Sequence, residues 1–381
     1  MRDLDWMEFD MADKVEQHKF SLLDLFRYSQ QAAPGILSGN ILRLLLAVVV
    51  IFLLMSILRP STFLTPLNFR SMAFQASEIG ILSLAIAITM LSGGIDLSIV
   101  SAANLAGIVA GLTLGAMVTP ESAGGEIALG ITVALLAGLG VGLLAGLFNG
   151  ILVAYFGMWP ILATLGTGLI YKGIGTGITG GTTIFGIRQT QFIGNGLVLG
   201  IPFPLIILLV LAAILALLLR RSKFGMRLYL IGTNPTAARF SGINNRRVLL
   251  ISYVIAGVLA SIAGIVILGR TNAANVDFGA PYVLLSILIA VLGDVDPYGG
   301  SGTVLGVLLA LVAMQMLSTG VNMLLFRSSG ANFFKEFSWG ALLLVVLVIN
   351  YYSRHRALRP QLGLTTGTPE GVPVEEPAQA E

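Results

Sequence analysis

Residues 220–247, RRSKFGMRLYLIGTNPTAARFSGINNRR, contain seven of the 22 Lys and Arg residues of the chain and no acidic residue. Long apolar runs flank this segment, at 201–219 and 248–268. A basic segment between two runs long enough to cross a bilayer is typical of a cytoplasmic loop in an integral membrane protein. Because the segment is too long for a plain turn, we expect it to contain a folded element that another protein grips.

The composition supports a membrane protein. The chain is 56% hydrophobic and 11% charged, whereas soluble domains carry about 25% charged residues. The net charge of +3 does not indicate nucleic-acid binding, because the basic residues lie between apolar runs, as topology signals do. Nucleic acid is therefore not an expected partner, whereas membrane lipid is.

Several chemistries are excluded by the residue types. The sequence has no Cys, and its two His residues lie outside the apolar runs, so we predict no disulfide, no metal site and no catalytic thiolate. No phosphate-cradling G-x-x-x-x-G-K-[ST] motif is present. We therefore predict no catalytic residues and no cofactor in this chain, and if transport is driven by ATP, a different polypeptide hydrolyses it.

The apolar runs predict an all-α polytopic membrane protein of about ten transmembrane helices. The eighth run is short and is followed by DVDPYGGSGT, which is rich in helix breakers, so a short or broken helix is expected there. The predicted spans are 41–58, 72–91, 96–118, 127–155, 160–180, 201–219, 248–269, 282–293, 303–326 and 334–352.

The chain divides into three predicted parts. Residues 1–40 form a cytoplasmic N-terminal segment, residues 41–352 the transmembrane domain with loop 220–247 in the cytoplasm, and residues 353–381 a disordered cytoplasmic tail rich in Pro, Gly and Glu. The excess of Lys and Arg on one side predicts that both termini are cytoplasmic.

Polar residues inside apolar runs are costly and are therefore candidates for function. Asp96 and Ser98 follow Gly93 and Gly94, which bend or break the chain. Asp96 either caps a helix N-terminus or contacts substrate, and both hold if a helix end faces the translocation path.

Glycines at 138, 142, 146 and 150 line one helix face, either for tight packing or for sliding.

Two further polar groups are candidates for the substrate path. Asn149 precedes the fifth span, in which Thr164, Thr167 and Tyr171 share one face. Asn322 lies in the ninth span on a face with Gln315, Ser318 and Thr319. Such stripes line a hydrated path or hydrogen-bond neighbouring helices, and amides and hydroxyls suit a neutral hydroxylated solute. Lys172 is close enough to the end of its span to snorkel to the headgroups.

Four motifs, in order and spacing, resemble the permease subunits of ribose-type ABC importers of bacteria over roughly residues 41–352. They are GGIDLS at 93–98, NGILVAYFGMWPILATLGTGLIYKGI at 149–174, IGTNPTAARFSGI at 231–243 and GGSGTVLG at 299–306. The resemblance implies an inner-membrane permease that translocates a monosaccharide or sugar alcohol. Its implied partners are an ABC ATPase subunit, a periplasmic substrate-binding protein and a second permease, identical or related.

The resemblance also implies that loop 220–247 carries a coupling motif that docks on the ATPase. The residues concerned are Gly232, Asn234, Ala237, Ala238, Arg239 and Gly242. Small Ala side chains let a short helix sit close to a partner, Arg239 can pair with an acid, and Gly242 can end the helix. The chain departs from the family at Thr236, where an acid is usual, and at Asp294 and Asp296, which replace small neutral residues. We expect Asp294 and Asp296 to cap the next helix or to face the cytoplasm.

Alternatives of other classes remain open. The same architecture serves a nucleoside, a branched-chain amino acid or a signalling sugar derivative. A stand-alone ion-coupled secondary transporter needs buried ionisable residues, for which Asp96, Lys172 and Glu78 are the candidates. An intramembrane enzyme is disfavoured because no coherent catalytic set is present.

Overall fold

The computed structural model describes residues 39–119, 121–185 and 188–325, together with residues 334, 337, 339–341 and 344. The predicted C-terminal tail, nearly all of the N-terminal segment and most of the predicted tenth span lie outside the described residues. The helices are α1 (Gly39–Leu58), α2 (Pro60–Phe63), α3 (Pro66–Leu91), α4 (Ile99–Met117), α5 (Gly124–Ala154), α6 (Pro160–Thr179), α7 (Gln191–Asn195), α8 (Phe203–Arg221), α9 (Lys223–Thr233), α10 (Pro235–Phe240), α11 (Asn245–Thr271), α12 (Tyr282–Leu292) and α13 (Val304–Leu324). The strands are β1 (Ile184–Phe185), β2 (Leu197–Val198), β3 (Ile201–Pro202) and β4 (Ala273–Ala274).

Eight of the described helices are long and apolar enough to cross a membrane: α1, α3, α4, α5, α6, α8, α11 and α13. The predicted all-α polytopic fold is confirmed. The short eighth span is α12, with 11 residues. The strands form two small antiparallel pairs, β1 with β4 and β2 with β3.

Proline and cap residues set several helix starts. Pro66 and Pro160 occupy the first helical position, where no backbone N–H is needed. Thr65 and Thr303 accept hydrogen bonds from the amides of Asn68 and Gly306 at the starts of α3 and α13. The cap of α13 is thus Thr303 rather than Asp294 or Asp296.

Helix α11 is at the centre of the bundle and packs along α5, α4 and α3. Its contact with α5 depends on glycine. A Cβ at Gly142 would lie 2.3 Å from the carbonyl oxygen of Gly257, and a Cβ at Gly146 would lie 2.4 Å from that of Tyr253. The predicted glycine face of α5 is therefore a packing surface on which two helix backbones touch.

Two features of the helix boundaries matter for function. The first corrects a predicted span, and the second shows the folded element expected in the basic segment. Helix α4 begins at Ile99, so Asp96 lies in the turn before the helix and not within the span. The basic segment 220–247 is largely helical, because it contains the end of α8, the helices α9 and α10, and the start of α11. We call the end of the bundle that carries α9 and α10 the basic end.

Candidate functional site

Asp96, Ser98 and Asn149 form a buried hydrogen-bonded network between the turn before α4 and the last part of α5. Asp96 Oδ1 accepts hydrogen bonds from the backbone N and Oγ of Ser98, at 2.9 and 2.7 Å. Asn149 Nδ2 lies 3.2 Å from Asp96 Oδ2 and 2.7 Å from Ser98 Oγ. All three residues are at most 2% exposed. The carboxyl group therefore holds the turn and α5 together in this conformation.

Helix α6 contributes the rest of this network. Thr164 Oγ1 accepts a hydrogen bond from the Leu97 amide at 3.0 Å, and Tyr171 Oη donates to Asn149 Oδ1 at 3.2 Å. Thr167 donates to the carbonyl of Thr164 and is also buried. Five of the six predicted path residues are thus brought together. Asp96, Ser98 and Asn149 bond one another through their side chains, whereas Thr164 and Thr167 bond backbone groups beside them.

The sixth, Asn322, belongs to a different group on α13. It is half-buried near the end of the helix that points away from Thr303. One turn earlier, Ser318 accepts a hydrogen bond from the indole N–H of Trp339 at 3.0 Å, and Gln315 Nε2 lies 3.5 Å from Gln75 Oε1 of α3. The predicted polar face of α13 therefore makes helix-to-helix contacts that are separate from the Asp96 network.

The predicted coupling motif is the short helix α10. Asn234 Oδ1 accepts hydrogen bonds from the amides of Thr236 and Ala237, both at 3.0 Å, which fixes the start of α10. Gly242 has φ +78°, and the Ile243 amide returns to the carbonyl of Ala238 at 3.1 Å. This is a Schellman end, which favours glycine because of the positive φ.

The exposed surface of α10 carries Phe240, which lies within the coupling motif predicted at 231–243. Ala238 is buried against the rest of the chain, whereas Arg239 is exposed and Phe240 is 88% exposed. A fully exposed aromatic side chain beside an arginine is typical of a contact that buries both residues in a partner.

Gly232 lies on α9 and packs against the bundle, whereas the other predicted coupling residues lie in or beside α10. A Cβ there would lie 2.1 Å from the Leu91 carbonyl oxygen and 2.2 Å from the Gly300 amide nitrogen. It thus allows α9 to touch the end of α3 and the loop before α13. Nearby, Tyr229 Oη donates to the Gly302 carbonyl at 2.8 Å, and burial raises the pKa of Tyr229 to about 12.

Two ion pairs connect distant parts of the chain. The sequence analysis named Glu78 and Lys172 as ionisable candidates but did not predict the residues with which they pair. The buried Glu78 of α3 pairs with Arg270 near the end of α11. Lys172 Nζ of α6 lies 2.6 Å from Asp277 Oδ1, and both of these side chains are largely exposed. Across the residues that the structure describes, no three His, Cys, Asp or Glu side chains gather closely enough to hold a metal ion.

The described part of the chain is thus a bundle of membrane-length helices with a capped, exposed helix at its basic end. Residues 68–349 match the family described as branched-chain amino acid transport system / permease component. Since this match covers most of the chain, the protein belongs to that family of permeases.

Individual relatives agree with this assignment. The ribose import permease protein RbsC of Bacillus subtilis strain 168 is 33% identical over 312 residues, 80% of this chain and 91% of the relative. The autoinducer 2 import system permease protein LsrD of Yersinia enterocolitica is 33% identical over 302 residues, 77% of this chain and 87% of the relative.

The expected resemblance and the expected class of function are confirmed by these similarities. The protein is a multi-pass permease component of a bacterial ABC importer, a class of subunit that contains no ATPase domain. Membership implies that an ATPase and a substrate-binding protein are its partners.

Proposed function

We propose that this permease carries a monosaccharide or a closely related hydroxylated solute across the bacterial inner membrane. The similarity to the ribose permease over 80% of the chain is the observation that carries the proposal. Equal identity to an autoinducer 2 permease makes a signalling sugar derivative the second candidate. Within this proposal a periplasmic protein delivers the solute, and a second permease, identical or related, completes the path.

The basic end is proposed to lie in the cytoplasm, with both termini on that side. The excess of basic residues in the segment 220–247 supports this orientation. Helix α10 is proposed to dock on the ATPase through Arg239 and Phe240, while Asn234 and Gly242 fix its two ends and Ala238 holds it against the bundle. The exposed Phe240 supplies the apolar anchor that such a contact needs.

Motion would pass from α10 to the bundle through α9. Gly232 brings the α9 backbone against Leu91 and Gly300, so the end of α3 and the loop before α13 would move with α9. Contact between the solute and Asp96, Ser98, Asn149, Thr164, Thr167 or Asn322 stays a prediction. For the first five it requires a conformation in which α6 has separated from the turn before α4.

The solute is tested by uptake in cells that express the permease with the ATPase and binding protein of its own gene cluster. We expect saturable accumulation of labelled D-ribose, and competition experiments with autoinducer 2 will rank the two candidates. Failure of both compounds to accumulate would contradict the proposed solute class. Uptake into liposomes that contain this chain alone, driven by an ion gradient, would contradict the ATP-driven mechanism.

The docking surface is tested with Phe240→Ser. We expect this variant to insert normally but to lose the ATPase on co-purification, because the apolar anchor is removed. Arg227→Ser is the matched control, since Arg227 is also exposed on the basic segment but lies on α9, outside α10. Equal recovery of the ATPase with wild type and with Phe240→Ser would remove α10 as the docking element.

A further inference from the structure

The ion pair between Lys172 and Asp277 lies on the surface of the single chain, but some distance along the helix axis from the nearer end of α6. Lys172 comes seven residues before the end of α6 at Thr179, which corresponds to about 10 Å at 1.5 Å per residue. Asp277 reaches the same level because the chain folds back into the bundle after α11. Val276, next to it, is adjacent to Gly175 of α6, where a Cβ would lie 2.8 Å from Val276 Cγ1.

A second contact fixes the depth of Asp277 independently. Asn104 Nδ2 donates hydrogen bonds to the carbonyls of Val276 and Phe278, at 2.8 and 2.9 Å. Asn104 lies 13 residues before the end of α4 at Met117, or about 20 Å along the axis. This value exceeds the distance of about 10 Å on α6 because α4 extends farther in that direction, since Ile108 of α4 lies beside Gly175 of α6. Helix α12 begins just after this segment and has 11 residues, about 16 Å, so it crosses only half of a bilayer.

Charged side chains at this depth are nevertheless exposed on the single chain. The side chain of Lys172 is 48% exposed and that of Asp277 is 62% exposed. Lipid is a poor neighbour for such a pair, and ionisable residues within membrane spans almost always face the protein interior or a water-filled cavity. Lys172 could reach toward the headgroups by itself, but Asp277 is too short to do so.

The rest of α6 has a mixed surface. Leu165 and Leu169 are exposed on the side that carries Lys172, but α6 has the lowest mean hydropathy of the eight long helices and is therefore the least suited to face lipid alone. Thr176 is exposed one turn beyond Lys172. Gly166, Gly173 and Gly177 lie on one face with open space around them, since no atom would lie within 4 Å of a Cβ there.

The carboxylate is also held in position before any solute arrives. The Asp277 amide donates to Asn275 Oδ1 at 2.8 Å, and Asn275 Nδ2 donates to Thr183 Oγ1 at 2.7 Å. With the two Asn104 bonds, this fixes the backbone on both sides of Asp277. An ammonium group that only donates and a carboxylate that only accepts then lie side by side, which matches the donor and acceptor capacity of neighbouring sugar hydroxyls.

We propose that Lys172 and Asp277 line the water-filled translocation path and hydrogen-bond the hydroxyl groups of the passing sugar. This inference rests on the proposed function. It adds a contact site on α6 and on the connection between α11 and α12, and this site is separate from the buried Asp96 network. The paired charges cancel, so the site suits a neutral polyhydroxylated solute rather than an ion.

Accessibility tests whether this face is wet. Since the chain has no cysteine, a single introduced thiol is the only reactive one. In the assembled importer in nanodiscs, Thr176→Cys is treated with a charged methanethiosulfonate reagent. We expect at least tenfold faster labelling than for the control Val50→Cys, which lies at an exposed position of α1, the helix with the highest mean hydropathy. Labelling as slow as that of the control would overturn the proposal.

Uptake kinetics test contact with the solute. Lys172→Gln and Asp277→Asn are each expected to lower the maximal uptake rate of labelled D-ribose about tenfold with the binding protein saturated, while ATPase co-purification stays at the wild-type level. An unchanged maximal rate in both variants would overturn the proposed contact. If wild type itself does not accumulate D-ribose, the proposed solute fails, but the labelling rates still decide whether α6 faces water.

Discussion

Asp96 and Asp277 are both carboxyl groups of the membrane-embedded bundle, yet their surroundings are opposite. Asp96 is 2% exposed and is surrounded by donors from Ser98 and Asn149. Asp277 is 62% exposed and has one cationic partner, Lys172, with room around both. A closed network has no free donor or acceptor to offer and therefore connects helices, whereas an open pair can exchange its hydrogen bonds with a solute.

The largest expected effect comes from breaking the buried ion pair of Glu78 with Arg270. Arg270→Met leaves the carboxylate of Glu78 buried without its cation, which costs about 3–5 kcal/mol of stability. Lys172→Met breaks the exposed pair and should cost less than about 1 kcal/mol. The midpoint of unfolding in SDS titrations of the purified protein measures both. Equal losses would show that exposure does not distinguish the two pairs.

Replacing Asp96 tests the closed network itself. Asp96→Leu removes the acceptor for the Ser98 amide, the Ser98 hydroxyl and the Asn149 amide group, and stranded buried donors cost about 1–3 kcal/mol each. We expect a total loss of about 3 kcal/mol, and less than half of it for Asp96→Asn, which keeps one acceptor oxygen.

The matched exposed variant is Asp277→Leu, for which the same SDS titration should show a loss below about 1 kcal/mol. Its effect should instead appear in uptake. A stability loss for Asp277→Leu as large as that for Asp96→Leu would contradict the distinction between a structural network and an open pair.

The sequence predicted the parts of this comparison that depend on local patterns. Apolar runs of sufficient length predicted the spans, and the placement of Gly242 after a short run of small residues predicted the end of α10, where φ is +78°. The i, i+3, i+7 spacing of Thr164, Thr167 and Tyr171 predicted a polar face on α6. It did not predict that those groups satisfy one another, since this requires the packing of α5 on α6.

The two ion pairs could not be predicted for the same reason. Glu78 and Arg270 are 192 residues apart in the sequence, and Asp277 is in a segment that looks like an ordinary connection between spans. Its depth follows from a fold-back that Asn104 anchors by tertiary hydrogen bonds. Lys172 alone is compatible with snorkelling to the headgroups. Its ion pair with Asp277 is what makes it a candidate contact site.

A hydroxyl outside the spans extends the comparison to a half-buried site. Tyr229→Phe removes the bond to the Gly302 carbonyl and should cost about 1 kcal/mol. Because the folded state raises the pKa of Tyr229 from 10.0 to about 12, its contribution to stability is complete below pH 10 and is lost as the pH rises toward 12. Unfolding midpoints of wild type and Tyr229→Phe should therefore converge over this range. A constant difference would contradict the role of the protonated hydroxyl.

A further small effect is expected at the edge of the closed network, where Tyr171 Oη lies 3.2 Å from Asn149 Oδ1 and 3.1 Å from the Ala145 carbonyl oxygen and shares its one proton between them. Tyr171→Phe should cost about 1 kcal/mol, because the Ala145 carbonyl remains part of its helix and only Asn149 Oδ1 loses a donor. If the network acts as a unit, the losses for Tyr171→Phe and Asp96→Asn will not add, and the double variant will reveal a coupling energy of about 0.5 kcal/mol or more. Tyr171→Phe combined with Asp277→Asn provides the control, since the open pair shares no hydrogen bond with Tyr171. Additive losses in the first pair would mean that Asp96 and Tyr171 stabilise α6 independently, and that the buried polar groups are separate contacts rather than one network.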